Sequence, residues 1–286
     1  MKLRKGILAL LFILIWVSLS WSQNGDLKPQ PVQQIIDKIR THVQGMRIWW
    51  TGQNGWLIKA DSILMATDLC LESDERLYAA PVSADQLAAE LDISFITHEH
   101  GDHFERETSR ILAEKSKCRF VMPRNCLQIA LDLGIPRDRI IVAVPKHPFE
   151  IGKIKVHPLR AIHGNPRFAV FEEANLEDCG YLITVDGKKI LQPGDTVLLE
   201  NHLFLKHVDV LFFSPTEHNM YIQPAVILIN ELEPDYILPQ HGATFRVTPE
   251  NRFWTTSYAY EVKMMLSKDL QKRYHIMEQG ESIEIK

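Results

Sequence analysis

Thr97-His98-Glu99-His100-Gly101-Asp102-His103 follows directly on the apolar run Ile93-Ser94-Phe95-Ile96. A short apolar run of this kind reads as a buried strand. The strand then delivers three histidines and an aspartate to a loop at its C-terminal edge, where sheet-based enzymes tend to keep their chemistry. Neutral imidazole and carboxylate are the ligands that suit zinc and similar divalent ions. His98 and His100 are two apart, so in an extended segment they point the same way. Asp102 and His103 follow a glycine that lets the chain turn, towards a second ion. A lone loop histidine is usually idle; a cluster this dense after a strand has few structural uses.

The same pattern recurs outward from this stretch. The strand read over 154–161 runs into Ile162-His163-Gly164, and the one over 189–191 into Gln192-Pro193-Gly194-Asp195. The one over 236–238 runs into Pro239-Gln240-His241-Gly242. Four strand ends therefore carry candidate ligands, and glycine stands beside three of them, allowing tight backbone near an ion. Further strands are expected at 46–50, 55–60, 62–67, 119–122, 140–144, 180–185, 208–213 and 282–285. Helices are expected at 32–44, 84–91, 106–115, 125–133, 223–232 and 251–266. Trp49, Trp50 and Trp56 read as core, with the lining of a pocket mouth as the alternative. Strand-rich halves broken by helices predict an α+β molecule, two packed sheets with helices outside.

The chain has 286 residues, 45% hydrophobic and 24% charged, with a formal net charge of −4. That composition supports a large core, and no basic block suggests a nucleic-acid surface. Lys2, Arg4 and Lys5 precede an unbroken apolar run, 7–17, and then Ser18-Leu19-Ser20-Trp21-Ser22-Gln23. This reads as a secretory signal over 1–22, cut before Gln23, too short for the ~20 residues of a membrane span. An uncleaved anchor is the alternative. The expectation is an exported protein, periplasmic or extracellular, with no stable membrane insertion after cleavage. Residues 23–44 read as a linker and an N-terminal helix, and 45–286 as one domain. Cys118 and Cys126 flank a turn and either pair or sit as small buried apolar residues. The sequence says nothing of oligomeric state.

His98-x-His100-x-Asp102-His103, followed in order by His163, Asp195 and His241, resembles the metallo-β-lactamase superfamily. Within it the chain looks most like the ascorbate-6-phosphate lactonase-like metal-dependent hydrolases, on Trp50-Thr51-Gly52-Gln53-Asn54-Gly55-Trp56, Asp92, Asn219-Met220 and Pro239-Gln240-His241-Gly242-Ala243-Thr244-Phe245. Asp68-Leu69 departs from that group's usual Asp-Pro. The resemblance implies an αββα four-layer sandwich with two divalent ions at one edge. His98, His100 and His163 would hold one ion; Asp102, His103 and His241 the other; Asp195 would bridge. The metals are expected to be zinc, with manganese or iron as alternatives set by availability. A metal-bridged hydroxide would cleave a lactone, ester or amide, with Asp102 as the catalytic residue that orients the nucleophile or shuttles its proton. His100 stands where flavodiiron-type relatives carry glutamate, which argues for hydrolysis over oxygen chemistry.

The expected partner is a small-molecule substrate. Two other functions compete: a phosphodiesterase for a phospholipid or nucleotide, and a metal-binding module without turnover. His218 is a candidate substrate-binding donor, with a solvated loop histidine as the alternative. Arg124, Arg160, Arg167 and Arg246 are candidates to meet an anionic substrate.

Overall fold

Trp49 and Trp50 are neighbours in one strand, yet they lie in different apolar layers, as do Phe212 and Phe213. Side chains alternate faces along a strand, so a strand apolar on both faces must be covered on both. This property of the sequence builds four layers. The computed structural model describes residues 35–164 and 175–286. The expected signal segment, the linker, the first residues of the N-terminal helix and Arg167 lie outside them. The described residues belong to one unit.

In chain order the strands are β1 (Met46–Gly52), β2 (Gly55–Ala60), β3 (Ile63–Thr67), β4 (Ile93–Phe95), β5 (Arg119–Pro123) and β6 (Ile140–Ala143). Then come β7 (Phe149–Ile151), β8 (Ile154–Arg160), β9 (Cys179–Val185), β10 (Lys188–Gln192), β11 (Val210–Phe213), β12 (Tyr236–Pro239) and β13 (Ser282–Ile285). One sheet has the order β13-β1-β2-β3-β4-β5-β6, the other β12-β11-β10-β9-β8-β7. Between them lie Ile48, Trp50, Trp56, Phe95, Tyr181, Ile183, Val210 and Phe212. Trp56 stacks on Phe212 with ring centroids 4.5 Å apart, a contact worth about 0.5–1.5 kcal/mol beyond the area it buries.

Helices cover the outer faces. On the first sheet, α1 (Ile36–Thr41), α2 (Ala84–Leu87), α3 (Arg106–Lys115) and α4 (Leu127–Asp132) bury Ile39, Leu87, Leu112 and Ala130 with Trp49, Leu57 and Leu64. On the second, α5 (Glu200–Leu203), α6 (Gln223–Leu232), α7 (Arg252–Thr255), α8 (Ala259–Met265) and α9 (Lys268–Arg273) follow in turn. Leu228, Leu232, Val262 and Leu270 there pack with Leu211 and Phe213. The α+β four-layer sandwich is as expected.

Several elements differ from expectation. The N-terminal helix ends at Thr41, and Val43, expected on its apolar stripe, is 75% exposed. Helix α2 stops at Leu87 after a capping box of Ser83 and Gln86. β7 and α9 were not expected: β7 has three residues, too few to show a period. The helix expected over 251–266 is broken into α7 and α8 at Thr256-Ser257. Thr and Ser compete with the helix through their hydroxyls, so a break there is cheap. All four cysteines are buried and free, so Cys118 and Cys126 do not pair. No helix among the described residues is long and apolar enough to cross a membrane.

Candidate metal centre

Strand direction decides where the site forms. β10, β11 and β12 run parallel, and β8 and β10 both run antiparallel to β9. The C-terminal ends of β8, β10, β11 and β12 therefore share one edge of the second sheet, which carries His163, Asp195, His218 and His241. The end of β4 reaches the same place from the first sheet. Tyr181 donates its hydroxyl to the Ile96 carbonyl at 2.7 Å, and the Cys179 N–H donates to the Thr97 carbonyl at 3.1 Å. Close backbone approach then demands small residues. A Cβ on Gly194, where φ is +69°, would fall 2.8 Å from Thr97 Cβ, and one on Gly164 would overlap the His218 carbonyl.

The loop after β4 is not extended. The N–H groups of His103 and Phe104 both reach the His100 carbonyl, at 3.0 and 2.7 Å, so the segment closes into a turn. His98 and His100 still meet, with ring centroids 4.6 Å apart, but through the turn rather than strand alternation. Asp68 anchors the loop from below. Its carboxylate accepts from the Thr97 N–H at 2.8 Å and the Thr97 hydroxyl at 2.9 Å, and stands 3.0 Å from His103 Nδ1.

All seven expected ligands come together. His98, His100 and His163 offer donor atoms within 4.8 Å of one another, and so do Asp102, His103 and His241. Asp195 lies between the sets. Its oxygens stand 2.8 Å from His241 Nε2, 3.4 Å from His103 Nε2 and 3.6 Å from His163 Nε2. Each of these imidazoles has its other nitrogen occupied. His103 Nδ1 meets Asp68, His163 Nδ1 meets the Gly164 carbonyl, and His241 Nδ1 donates to the Trp254 carbonyl at 2.7 Å. Holding the proton on Nδ1 leaves the Nε2 lone pair for a ligand, the arrangement that orients metal-binding histidines.

The fold has counterparts among known proteins. The beta-lactamase superfamily domain model matches residues 47–241. The chain belongs to the metallo-β-lactamase superfamily. A UPF0173 metal-dependent hydrolase of Bacillus velezensis is 29% identical over 176 residues, 56% of this chain and 71% of the relative. The metallo hydrolase Igni18 of Ignicoccus hospitalis superposes with a TM-score of 0.66 at 18% identity, covering 83% of this chain and 97% of its own. An isothiocyanate hydrolase from Delia radicum gut bacteria gives 0.66 at 15% identity, covering 83% and 98%. As a superfamily member with such relatives, the protein is a metal-dependent hydrolase.

The electrostatics suit a cation. Burial pulls the His103 pKa down, but the carboxylates of Asp195, Asp102 and Asp68 outweigh it and lift it well above the usual range. Burial opposes ionisation of Asp195 too, yet His241 and His103 hold its pKa well below the ordinary carboxylate value. His98, by contrast, is driven down by burial and by its histidine neighbours, and His100 falls to about 4 for the same reasons. Two buried carboxylates, Asp68 and Asp195, and the partly buried Asp102 thus call for positive charge that the imidazoles carry unevenly. A dication would supply it and leave every imidazole neutral. Buried lone pairs point the same way: His98 Nε2, Gln53 Oε1, Asn54 Oδ1 and Asn219 Oδ1 meet no hydrogen-bond donor among the described residues. Each such atom left unmet costs about 1–3 kcal/mol.

Reading the sequence missed part of this site. Gln53 and Asn54, in the β1–β2 turn, donate to Asp102 Oδ2 at 2.9 and 3.3 Å, and Asn54 Nδ2 lies 2.7 Å from His103 Nε2. In the sequence they look like ordinary turn residues. Asp68 is hidden for a different reason, being one aspartate after one strand. Its left-handed backbone, φ 47°, and that of His241, φ 62°, are conformations that non-glycine residues hold only where the surroundings impose them. His218 is buried rather than solvated.

Proposed function

We propose that the protein is an exported hydrolase that uses two divalent ions, zinc foremost, to cleave a lactone, ester or amide. His98, His100 and His163 would hold one ion, Asp102, His103 and His241 the other, and Asp195 both. One observation carries the reading: buried imidazoles with their Nδ1 atoms tied converge on Asp195 through Nε2. When bound, the ions would supply an acidified water and a Lewis acid for the oxygen that gains charge.

The residues do the rest. Asp68 and the Gly164 and Trp254 carbonyls keep the imidazole tautomers in register. Asp195 is fixed by the Ser214 hydroxyl, which donates at 2.9 Å. Asp102, held by Gln53 and Asn54, is the more open of the two carboxylates, its side chain 17% exposed against 3% for Asp195. It is the group placed to take a proton from the nucleophile and pass it on.

Two observations favour carbon over phosphorus as the electrophile. No lysine or arginine among the described residues pairs with the seven donors, so those residues place no cationic clamp for a phosphodiester beside them. The fold is also that of an isothiocyanate hydrolase, whose substrate is a carbon electrophile. The test is a panel of activated lactones, esters and amides set against bis-nitrophenyl phosphate, with zinc or manganese added. Turnover of the carbon panel is expected. Preference for the phosphodiester would replace the substrate class, and turnover of neither would favour a binding module. Secretion with loss of residues 1–22, read by mass spectrometry, checks the export.

A further inference from the structure

We infer that His218 is an eighth metal-binding side chain, completing the donor set on the His163 side. Its imidazole is held as the assigned ligands are. His218 Nδ1 donates to the Phe253 carbonyl at 3.0 Å, one residue before the Trp254 carbonyl that holds His241. The proton is thereby placed on Nδ1, and the Nε2 lone pair faces inward. That lone pair accepts from the Asn219 amide nitrogen at 3.0 Å and stands 3.3 Å from Asp195 Oδ2. A lone pair and a carboxylate oxygen at this distance repel, and a cation seated between them, a proton or a metal ion, relieves the repulsion. His163, Asp195 and His218 place their donor atoms within 4.8 Å of one another, as the other sets do.

The fold spends residues on this placement. Any side chain at Gly164 would overlap the His218 carbonyl, so the His163 loop is pressed onto the His218 loop, with ring centroids 5.0 Å apart. The Phe253 carbonyl is free because the chain breaks between α7 and α8. In an unbroken helix Phe253 and Trp254 would accept from backbone N–H groups four residues on. Instead the Tyr258 N–H turns away to the Pro215 carbonyl at 2.9 Å. The His218 side chain is 2% exposed, a poor position for a group whose task is to meet substrate from solvent.

The consequence is asymmetry. One side would carry four imidazoles, His98, His100, His163 and His218. The other, with Asp102, His103 and His241, would have fewer protein donors and keep the open position that catalytic ions need.

The inference rests on the two-ion reading, and the experiment separates the two. Wild type, His218→Ala and His218→Gln are loaded with zinc, counted for metal, and titrated with a competing chelator; each is also loaded with cobalt for its visible spectrum. Expected are two ions in wild type and, in both variants, one ion unchanged and the other weakened at least about tenfold with an altered cobalt spectrum. Unchanged metal content, affinity and spectrum, with only KM raised, would overturn the inference and return His218 to a substrate contact. Wild type holding fewer than two ions would overturn the two-ion reading and the inference with it. Variants whose metal-free unfolding matches wild type but whose two ions weaken equally would also overturn it, since a ligand of one ion acts unequally.

Discussion

His103 stands among three carboxylates, and its raised pKa shows what the centre asks for. A histidine must be neutral to ligate, so in metal-free protein a proton on His103 competes with the ion. His163, lifted by Asp195 against the pull of burial, competes in the same way. The sign follows. For both groups the folded pKa lies above the usual 6.5, so their stabilisation of metal-free protein is full below that value and is lost as pH rises through the raised one. Metal uptake should therefore release protons, and apparent affinity should climb as pH passes about 6.5 and beyond. Calorimetric titration in two buffers of different ionisation enthalpy measures the proton count. An affinity flat between about pH 6 and pH 8 would contradict it. At this scale the seven candidate donors that the fold brings together were legible in the sequence, because His and Asp in that spacing have few other uses. Gln53, Asn54 and Asp68 were not, because nothing local distinguishes an amide or carboxylate that orients a ligand from one that makes a turn.

Helix α3 begins where the ligand loop ends, and Glu105 is the joint. Its carboxylate accepts from the N–H groups of Glu107 at 2.7 Å and Thr108 at 2.8 Å, capping the helix, while buried Phe104 pins the loop beside it. Glu105→Ala should cost about 1–2 kcal/mol, read by chemical denaturation, with metal affinity reduced less than by loss of a ligand. A neutral result would mean that the loop is held by Asp68 and Phe104 alone. The break between α7 and α8 shows the limit of local reading. The apolar spacing of residues 251–266 is helical, but two of its carbonyls are wanted by His218 and His241, and packing rather than propensity decides between the two uses.

The centre draws on both halves of the molecule: His98, His100, Asp102 and His103 follow a strand of one sheet, and His163, Asp195 and His241 follow strands of the other. Ions shared across that junction, as proposed, would bind the folded chain and not the unfolded one. Each ion present at a hundred times its Kd should add about 2.7 kcal/mol of stability. Chelation should lower the unfolding temperature, and restoring zinc should raise it in a concentration-dependent way. A chelated protein that melts where the loaded one does would mean that the sheets meet without help from metal. The sequence by itself marked every strand but β7 and pointed to the candidate donors, since side-chain pattern and ligand chemistry are local properties. Only the tertiary structure decided that the four strand ends meet at one edge, that backbone carbonyls hold His163, His218 and His241, and that His218 is buried beside Asp195. Those depend on strand direction and on close approach between segments distant in the chain, which no local pattern records.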